Sequence, residues 1–276
     1  MRGIILIIST LLVGSCSCGS IPKAGPVTHQ EQLSSSKLPQ PSSGSSLNQQ
    51  QKLELPAILQ SDVIVSHLGY TASYNHSTLI PNWVAYELTD DELKGNLKGE
   101  ESFRWDPDLD GDQAWREDYS NSGWDKGHMV PKADLKWSER AYSESFYFTN
   151  ICPQNHTFNG GAWVTTENMG RRIAKQYGRV FIICGPLVES NKYGTIGTHG
   201  VVIPDAYFKA FLIKVEQEYY AIGIAMDNSP ERQDLKSCTM TVDELESRCG
   251  LDLFYNLDIN AQVKAESTIN YKVWGL

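Results

Sequence analysis

The chain has 276 residues and a formal charge of −9, and hydrophobic residues make up 41% of it. This share is sufficient for a folded core, so the composition excludes a wholly disordered chain. The six cysteines include no Cys-x-x-Cys pair, which argues against a zinc ribbon or a thioredoxin-like site. The negative charge disfavours nucleic-acid binding unless the basic residues are clustered.

The first 15 residues have the pattern of a secretory signal peptide. Arg2 supplies a positive charge, and residues 3–14 form an uncharged apolar run. The run is shorter than the roughly 20 residues that a membrane-spanning helix needs. Residues 12–16 resemble a bacterial lipobox, which predicts an exported lipoprotein lipidated at Cys16 and anchored to the cell envelope, on its periplasmic or cell-surface side. The alternative is an ordinary secretory signal followed by a fortuitous cysteine.

The next segment, residues 16–61, is rich in Ser, Gln and Pro and is typical of a disordered tether. No second linker interrupts residues 62–276, so we predict one domain there. In an oxidising compartment Cys238 and Cys249 could form a disulfide. Cys152 and Cys184 lie in apolar stretches typical of buried free thiols.

Runs of β-branched and aromatic residues predict strands, and helical spacing of apolar residues predicts helices. The predicted strands are 63–65, 83–88, 146–149, 180–183, 206–212 and 219–224. The predicted helices are 163–177, 242–248 and 257–268, and the second begins with a capping box of Thr241 and Glu244. These elements predict an α+β fold with an antiparallel β-sheet core and flanking helices.

The segment from Asp106 to Glu117 matches the spacing of an EF-hand calcium loop. The second position is Pro107, the eighth is Gln113 in place of an aliphatic residue, and neither flank has a helical pattern. We therefore do not expect an EF-hand, and a calcium-binding structural protein is the weakest alternative function.

A helix through residues 159–175 would place Asn159, Glu167 and Arg171 on one flank, at about 100° of rotation per residue. An amide oxygen, a carboxylate and a guanidinium on one face suit a hard divalent ion and its bound phosphate. The alternative is that Glu167 and Arg171 form an ordinary surface ion pair.

Residues 125–167 follow the pattern Asp-Arg-Gly-His-x-x-Pro, Asn-x-x-Pro-Gln and Asn-x-x-x-Trp-x-x-x-Glu, in order and at spacing. The matching residues are Asp125, Gly127, His128, Pro131, Asn150, Pro153, Gln154, Asn159, Trp163 and Glu167. The chain therefore resembles the DNA/RNA non-specific endonuclease family, a branch of the ββα-metal (His-Me finger) nucleases that includes endonuclease G. The resemblance covers nearly all of residues 62–276 and implies a ββα-metal finger.

The resemblance implies an endonuclease that depends on Mg²⁺, with Mn²⁺ able to substitute, and that cuts both DNA and RNA to leave 5′-phosphates. It implies that His128 is the general base and that Asn159 is the one direct protein ligand of the metal. It further implies that Glu167 holds metal-bound waters and that Arg171 clamps a phosphate oxygen.

Asp125 and Asn150 would shape this site rather than react. Two positions depart from the family pattern, because Lys126 stands where an arginine is usual, and Glu101 stands near another usual arginine. Lysine keeps the charge but loses the bidentate fork. These departures support an alternative function, a catalytically weakened, lipid-anchored nucleic-acid-binding module.

An acidic protein can still bind nucleic acid through a local basic groove. We predict such a groove from basic residues near His128 and along the proposed metal helix, with Lys126 and Arg172 as substrate-binding residues. The basic residues concerned are Lys126, Lys132, Lys136, Arg171, Arg172, Lys175 and Arg179. The alternative is that they form an ordinary solvated surface.

Overall fold

The computed structural model describes residues 52–276, and its largest feature is a seven-stranded sheet in which every neighbouring pair is antiparallel. The strands are β1 Val63–Ser66, β2 Thr71–Asn75, β3 Ile80–Thr89, β4 Asp125–His128, β5 Ile151–Gln154, β6 Arg179–Leu187, β7 Thr195–Ile196, β8 Val201–Val202, β9 Ala206–Val215, β10 Glu218–Asp227 and β11 Thr239–Met240. The sheet order is β1-β2-β3-β6-β9-β10-β11, while β4 pairs with β5 and β7 with β8.

The helices are short apart from one. They are α1 Glu139–Glu144, α2 His156–Phe158, α3 Val164–Tyr177, α4 Val242–Cys249, α5 Ile259–Glu266 and α6 Tyr271–Trp274. A π-helical turn, Asn159–Trp163, joins α2 to α3, and 3₁₀ turns occupy Glu92–Lys94, Arg116–Tyr119, Lys132–Leu135, Phe148–Asn150 and Lys236–Cys238.

Strand β6 illustrates why both faces of the sheet are covered. Its residues 180–185 are all buried. Ile182 packs into a hydrophobic cluster that includes Ile173 of α3, whereas Ile183 packs into a second cluster that includes Leu245 of α4. Because side chains alternate across a strand, one hydrophobic layer lies beneath α3 and another beneath α4 and α5. The β4–β5 hairpin packs into the α3 layer through residues such as Ile151.

The predicted α+β class with an antiparallel core is confirmed, and so are most of the predicted elements. The predicted capping box is present, since Glu244 N donates to Thr241 Oγ1 at 3.2 Å and Thr241 N donates to Glu244 Oε2 at 2.9 Å. The predicted strand at 146–149 is wrong, because this segment is a turn that continues into the 3₁₀ turn Phe148–Asn150. Phe146 and Phe148 are both buried although the segment is not a strand. Alternating apolar residues therefore did not indicate a strand here.

Four of the six cysteines lie in the described part of the chain, and all four are free thiols. Cys152 and Cys184 are buried free thiols, as predicted. Cys238 and Cys249 are also free, so the disulfide considered above does not form. Cys238 packs against the hydrophobic cluster beneath α3, whereas Cys249 ends α4 and packs against the cluster on the other face of the sheet. A disulfide requires Cα atoms within about 7 Å.

Packing against the core begins before the predicted domain start at residue 62. Leu53 is buried in the cluster beneath α4 and α5, and Ala57 N donates to Asp252 O at 2.8 Å. The predicted signal peptide (residues 1–15), Cys16 and residues 16–51 of the predicted tether lie outside the described residues. Within residues 52–276 no helix is long and apolar enough to cross a membrane.

Candidate active site

Two short strands and a helix form the predicted ββα finger. In the β4–β5 hairpin, Asp125 lies opposite Gln154 and His128 lies opposite Ile151. Gly127 allows this close pairing, because a Cβ at that position would collide with the side chain of Gln154. The chain then leaves β5 and enters α2, the π-helical turn and α3.

Asn150 holds the segment that follows His128. Its Oδ1 accepts from Val130 N at 2.8 Å, and its Nδ2 donates to Val130 O and Ser145 O, both at 2.9 Å. The side chain is fully buried, so it does not reach a substrate. Asn150 therefore fixes the backbone two residues after His128, and its role in shaping the site stays a prediction.

The ring of His128 lies in an aromatic pocket. Its centroid is 5.5 Å from the ring of Phe103 and 5.1 Å from that of Phe146. Its Nε2 atom is buried and has no hydrogen-bond partner among the described residues. Burial lowers the pKa of His128 to about 4, and the positive charge of Lys132 contributes to this shift. The negative charge of Glu101 acts in the opposite direction. The imidazole is therefore neutral at pH 7, as a general base must be.

The π-helical turn is fastened to strand β4 by two side-chain bonds. Asn159 Nδ2 donates to Asp125 Oδ2 at 2.9 Å. Trp163 Nε1 donates to the carbonyl oxygen of His128 at 3.1 Å. His156 Nδ1 also lies 2.9 Å from Asp125 Oδ2. With its amide nitrogen held in this way, Asn159 keeps Oδ1 free of protein donors within residues 52–276.

The π-helical turn also determines which residues line up with Asn159. In a regular α-helix, eight residues rotate by about 800°, which places Glu167 about 80° past two full turns. A π turn accommodates one additional residue, so the same separation acts as about seven residues and rotates by about 700°. Asn159 and Glu167 are thus brought within about 20° of one line along the helix.

Arg171 and Glu167 form more than the surface pair considered above. Arg171 Nη2 donates to Glu167 Oε2 at 3.2 Å, and Arg171 Nε donates to Asp134 Oδ1 at 2.5 Å. Asp134 is buried and also accepts from Tyr86 Oη at 3.2 Å. Burial raises the pKa of Asp134 to about 6, although Arg171 opposes the shift. No sequence pattern indicated a role for Asp134, because its bond with Arg171 joins residues far apart in the chain.

Lys126 lies on the His128 side of β4, because residues two apart on a strand share a face. Its Nζ is 5.5 Å from the ring centroid of Phe103 and 5.4 Å from that of Tyr119. Burial, and then the charge of Arg116, lower the pKa of Lys126. The substrate contact of Lys126 stays a prediction.

Two of the other predicted basic residues, Arg172 and Arg179, are held by partners outside this site. Arg172 Nη2 donates to Trp274 O at 2.6 Å and so holds the C-terminal helix α6. Arg179 Nε pairs with Glu87 Oε1 at 2.8 Å. Successive helical residues point about 100° apart, which separates Arg172 from Arg171. Arg172 and Arg179 are therefore not part of the predicted basic groove, and we leave Arg172 out of the substrate contacts.

Glu101 lies close enough to the His128 ring to affect its pKa. Its carboxylate accepts from Tyr142 Oη, and its Oε2 lies 3.4 Å from Lys132 Nζ. It therefore offsets part of the positive charge of a lysine beside His128.

Clusters of three metal-binding side chains occur elsewhere in the described part of the chain. They are His67, Asp106, Asp108 and, separately, Asp243, Glu246, Glu266. No EF-hand is formed around Asp106, whose carboxylate is buried and bonded to His67 Nε2 at 2.7 Å and Thr149 Oγ1 at 2.6 Å. A metal bound by Asn159 and otherwise by water and phosphate oxygens would not form such a cluster.

The comparison with known proteins agrees with this geometry. The family model for DNA/RNA non-specific endonucleases matches residues 54–260. Nuclease EXOG of Danio rerio is 31% identical over 204 residues, which is 68% of this chain and 60% of the relative. Human Endonuclease G is 29% identical over 218 residues, covering 72% of this chain and 71% of the relative.

The chain thus spans about 60% of the length of the EXOG relatives from Danio rerio and Xenopus laevis. A crystal structure of an EndoG/EndoGI complex matches with a TM-score of 0.69 and 25% identity, over 80% of this chain and 96% of that chain. Because the family model covers well over half of the sequence, this chain belongs to the DNA/RNA non-specific endonuclease family.

Proposed function

We propose that this chain is a metal-dependent endonuclease that hydrolyses phosphodiester bonds in DNA and RNA without base preference and leaves 5′-phosphates. The proposal rests on the two bonds that tie the π-helical turn to strand β4, from Asn159 to Asp125 and from Trp163 to His128. They hold a neutral imidazole and an amide oxygen on two adjoining elements of one finger.

His128 would remove a proton from the attacking water. Its lowered pKa keeps the ring unprotonated at neutral pH, so the base needs no prior activation. Because Nε2 is buried, Nδ1 is the nitrogen left to take the proton. The bond from Trp163 to the His128 carbonyl and the buried amide of Asn150 keep the ring in place.

The donor atoms present fit a magnesium ion. Asn159 Oδ1 would hold it directly, since neutral oxygen donors together with water and phosphate oxygens are the ligands that Mg²⁺ prefers, and Mn²⁺ would substitute. Glu167 would orient waters around it, and Arg171 keeps the Glu167 carboxylate in place. The ion would supply positive charge to the scissile phosphate and the leaving 3′ oxygen.

The test is digestion of plasmid DNA and RNA by the full chain with Mg²⁺, with EDTA, and with the His128→Ala variant. Loss of a general base should lower the rate about 10²- to 10⁴-fold. His76→Ala is a matched control, because His76 bonds only to the Asp112 carbonyl in an exposed turn. Products that ligate without prior phosphorylation would establish 5′-phosphate ends. Undiminished cutting in EDTA, or by His128→Ala, would exclude this mechanism.

A second candidate is a catalytically weakened nucleic-acid-binding module. The position of Glu101 favours it, since this carboxylate partly neutralises Lys132 next to the base. Tight binding of DNA without turnover in Mg²⁺ or Mn²⁺ would choose this function over the nuclease.

For the location of the protein, we propose export and lipidation at Cys16, supported by the signal-like pattern of residues 1–15. A lipid chain there would anchor the protein to the cell envelope. Metabolic labelling with a radioactive fatty acid should label the parent protein but not the Cys16→Ser variant. Equal labelling of both would refute the anchor.

A further inference from the structure

Two exposed tryptophans lie side by side near the candidate active site. Trp105 is 45% exposed and Trp115 is 41% exposed. Their ring centroids are 4.4 Å apart and the rings meet edge to face at 73°. The chain's other tryptophans are buried or half-buried. Large exposed aromatic side chains in a cluster commonly mark a binding surface.

Both indoles are held in fixed orientations. Trp105 Nε1 donates to Ala114 O at 3.1 Å. The ring of His199 stacks on Trp115 at 5.5 Å and an interplanar angle of 13°, and His199 Nδ1 lies 2.9 Å from Asp118 Oδ1. A ligand that stacks here would therefore order little of the protein when it binds.

The tryptophan pair and His128 share one neighbour, the ring of Phe103. Both indoles line a cavity of about 240 Å³ together with Phe103 and Arg116. The ring of Phe103 also contacts His128, at 5.5 Å between centroids, and lies 5.5 Å from Lys126 Nζ. Phe103 thus links a base-sized aromatic surface to the proposed general base.

Cationic side chains lie on both surfaces. Lys126 Nζ is near the Phe103 ring, and Arg104 and Arg116 line the cavity together with one carboxylate, Glu117. A strand whose backbone contacts these cations would place a neighbouring base at the indoles. Bases in a duplex are already stacked on both faces, so only an unpaired base can occupy such a surface.

We propose that Trp105 and Trp115 form a stacking site for an unpaired nucleobase of the substrate, so that the protein engages single-stranded nucleic acid more tightly than duplex. This inference rests on the proposed nuclease function, because it assumes that a nucleic-acid strand lies across His128. The site selects by strand state rather than by base identity, since every base presents an aromatic face.

The test measures binding of a labelled single-stranded oligonucleotide and of its duplex to the full chain in EDTA. Trp115→Ala and Trp105→Ala should each raise the Kd for the single strand roughly 5- to 100-fold, the range expected for one stacked base. Trp115→Phe should retain most of the affinity. Tyr255→Ala is the matched control, because Tyr255 is 58% exposed and lies between α4 and α5 on the other layer of the sheet.

A single-strand Kd unchanged in both alanine variants would overturn the proposal. An equal loss for single strand and duplex would also overturn it, because duplex bases cannot stack on the indoles. Binding in EDTA does not depend on catalysis. Parent protein that binds single strands through the indoles but cuts neither DNA nor RNA would therefore refute the nuclease function and leave the stacking site intact.

Discussion

The side-chain amide of Asn159 donates to Asp125 Oδ2 at 2.9 Å, which leaves the amide oxygen of Asn159 for other partners. Asp125→Asn removes the charged acceptor and lets the Asn159 amide rotate. We expect the Mg²⁺ concentration for half-maximal cutting to rise about 10- to 100-fold, as is typical when a group that orients a metal ligand is lost. The measurement is the initial rate of DNA cleavage against Mg²⁺ concentration.

The matched control is Asp91→Asn, which removes an exposed carboxylate that pairs with Lys94. It should leave the Mg²⁺ dependence unchanged. An unaltered Mg²⁺ dependence in Asp125→Asn as well would show that the Asn159 amide is not oriented by this bond.

The pH dependence should reflect the buried position of His128. Because its pKa is lowered to about 4, kcat/KM should stay level from pH 7 to about 5 and fall at lower pH with a midpoint near 4. The same group affects stability. Between pH 6.5 and 4 the unfolded chain binds a proton that the folded chain does not, so folding stability decreases as pH falls through that window.

Two neighbouring charges should shift this midpoint in opposite directions. Lys132→Met removes a positive charge that disfavours protonation, so the midpoint should rise toward 6.5. Glu101→Gln removes a negative charge that favours protonation, so the midpoint should fall. Lys94→Met is the control, because Lys94 is exposed and paired with Asp90 and Asp91. A midpoint near 6.5 in the parent protein would contradict the burial of the ring.

The buried pair of Arg171 and Asp134 predicts a non-additive effect on stability. Arg171→Met leaves the Asp134 carboxylate buried without its cation and should lower the free energy of unfolding by about 2–4 kcal/mol, allowing for the partial exposure of Arg171. Adding Asp134→Leu removes the unpaired charge and should restore at least half of this loss. Urea unfolding of both single variants and the double variant measures the coupling.

The same double variant separates stability from catalysis. Glu167 loses the guanidinium that holds it, so cutting should remain low even where stability returns. Full recovery of activity together with stability would mean that Arg171 has no part in positioning Glu167.

Lys126 and Arg172 should differ in their effects on binding. Lys126→Ala should weaken binding of all sequences similarly and reduce the slope of log K against log salt by about 1, because one phosphate contact is lost. Arg172→Ala should leave that slope unchanged and lower stability by about 1–3 kcal/mol, because its bond to Trp274 O is lost. A reduced salt slope in Arg172→Ala would instead show that Arg172 contacts the nucleic acid.

The finger was predictable because its residues follow one another closely in the chain. The Asp125–His128 strand, the Asn150 turn and the helix bearing Glu167 all lie within one local segment. The π-helical turn was not predictable, since apolar periodicity assumes a regular helix and the inserted residue changes the angle between Asn159 and Glu167. The segment at 146–149 failed for a related reason, because alternating apolar residues can be buried in a turn as well as in a strand.

Local order in the chain was therefore enough to identify the family, the antiparallel core and the residues that carry the proposed chemistry, because each of these depends on residue type and short spacing. Contacts between distant segments decided the rest. Asp134 meets Arg171, Glu101 meets Lys132, Arg172 turns toward Trp274, and the indoles of Trp105 and Trp115 open beside Phe103. Such contacts arise only when the sheet and its layers bring remote side chains together, and burial there then sets the charge state of each group.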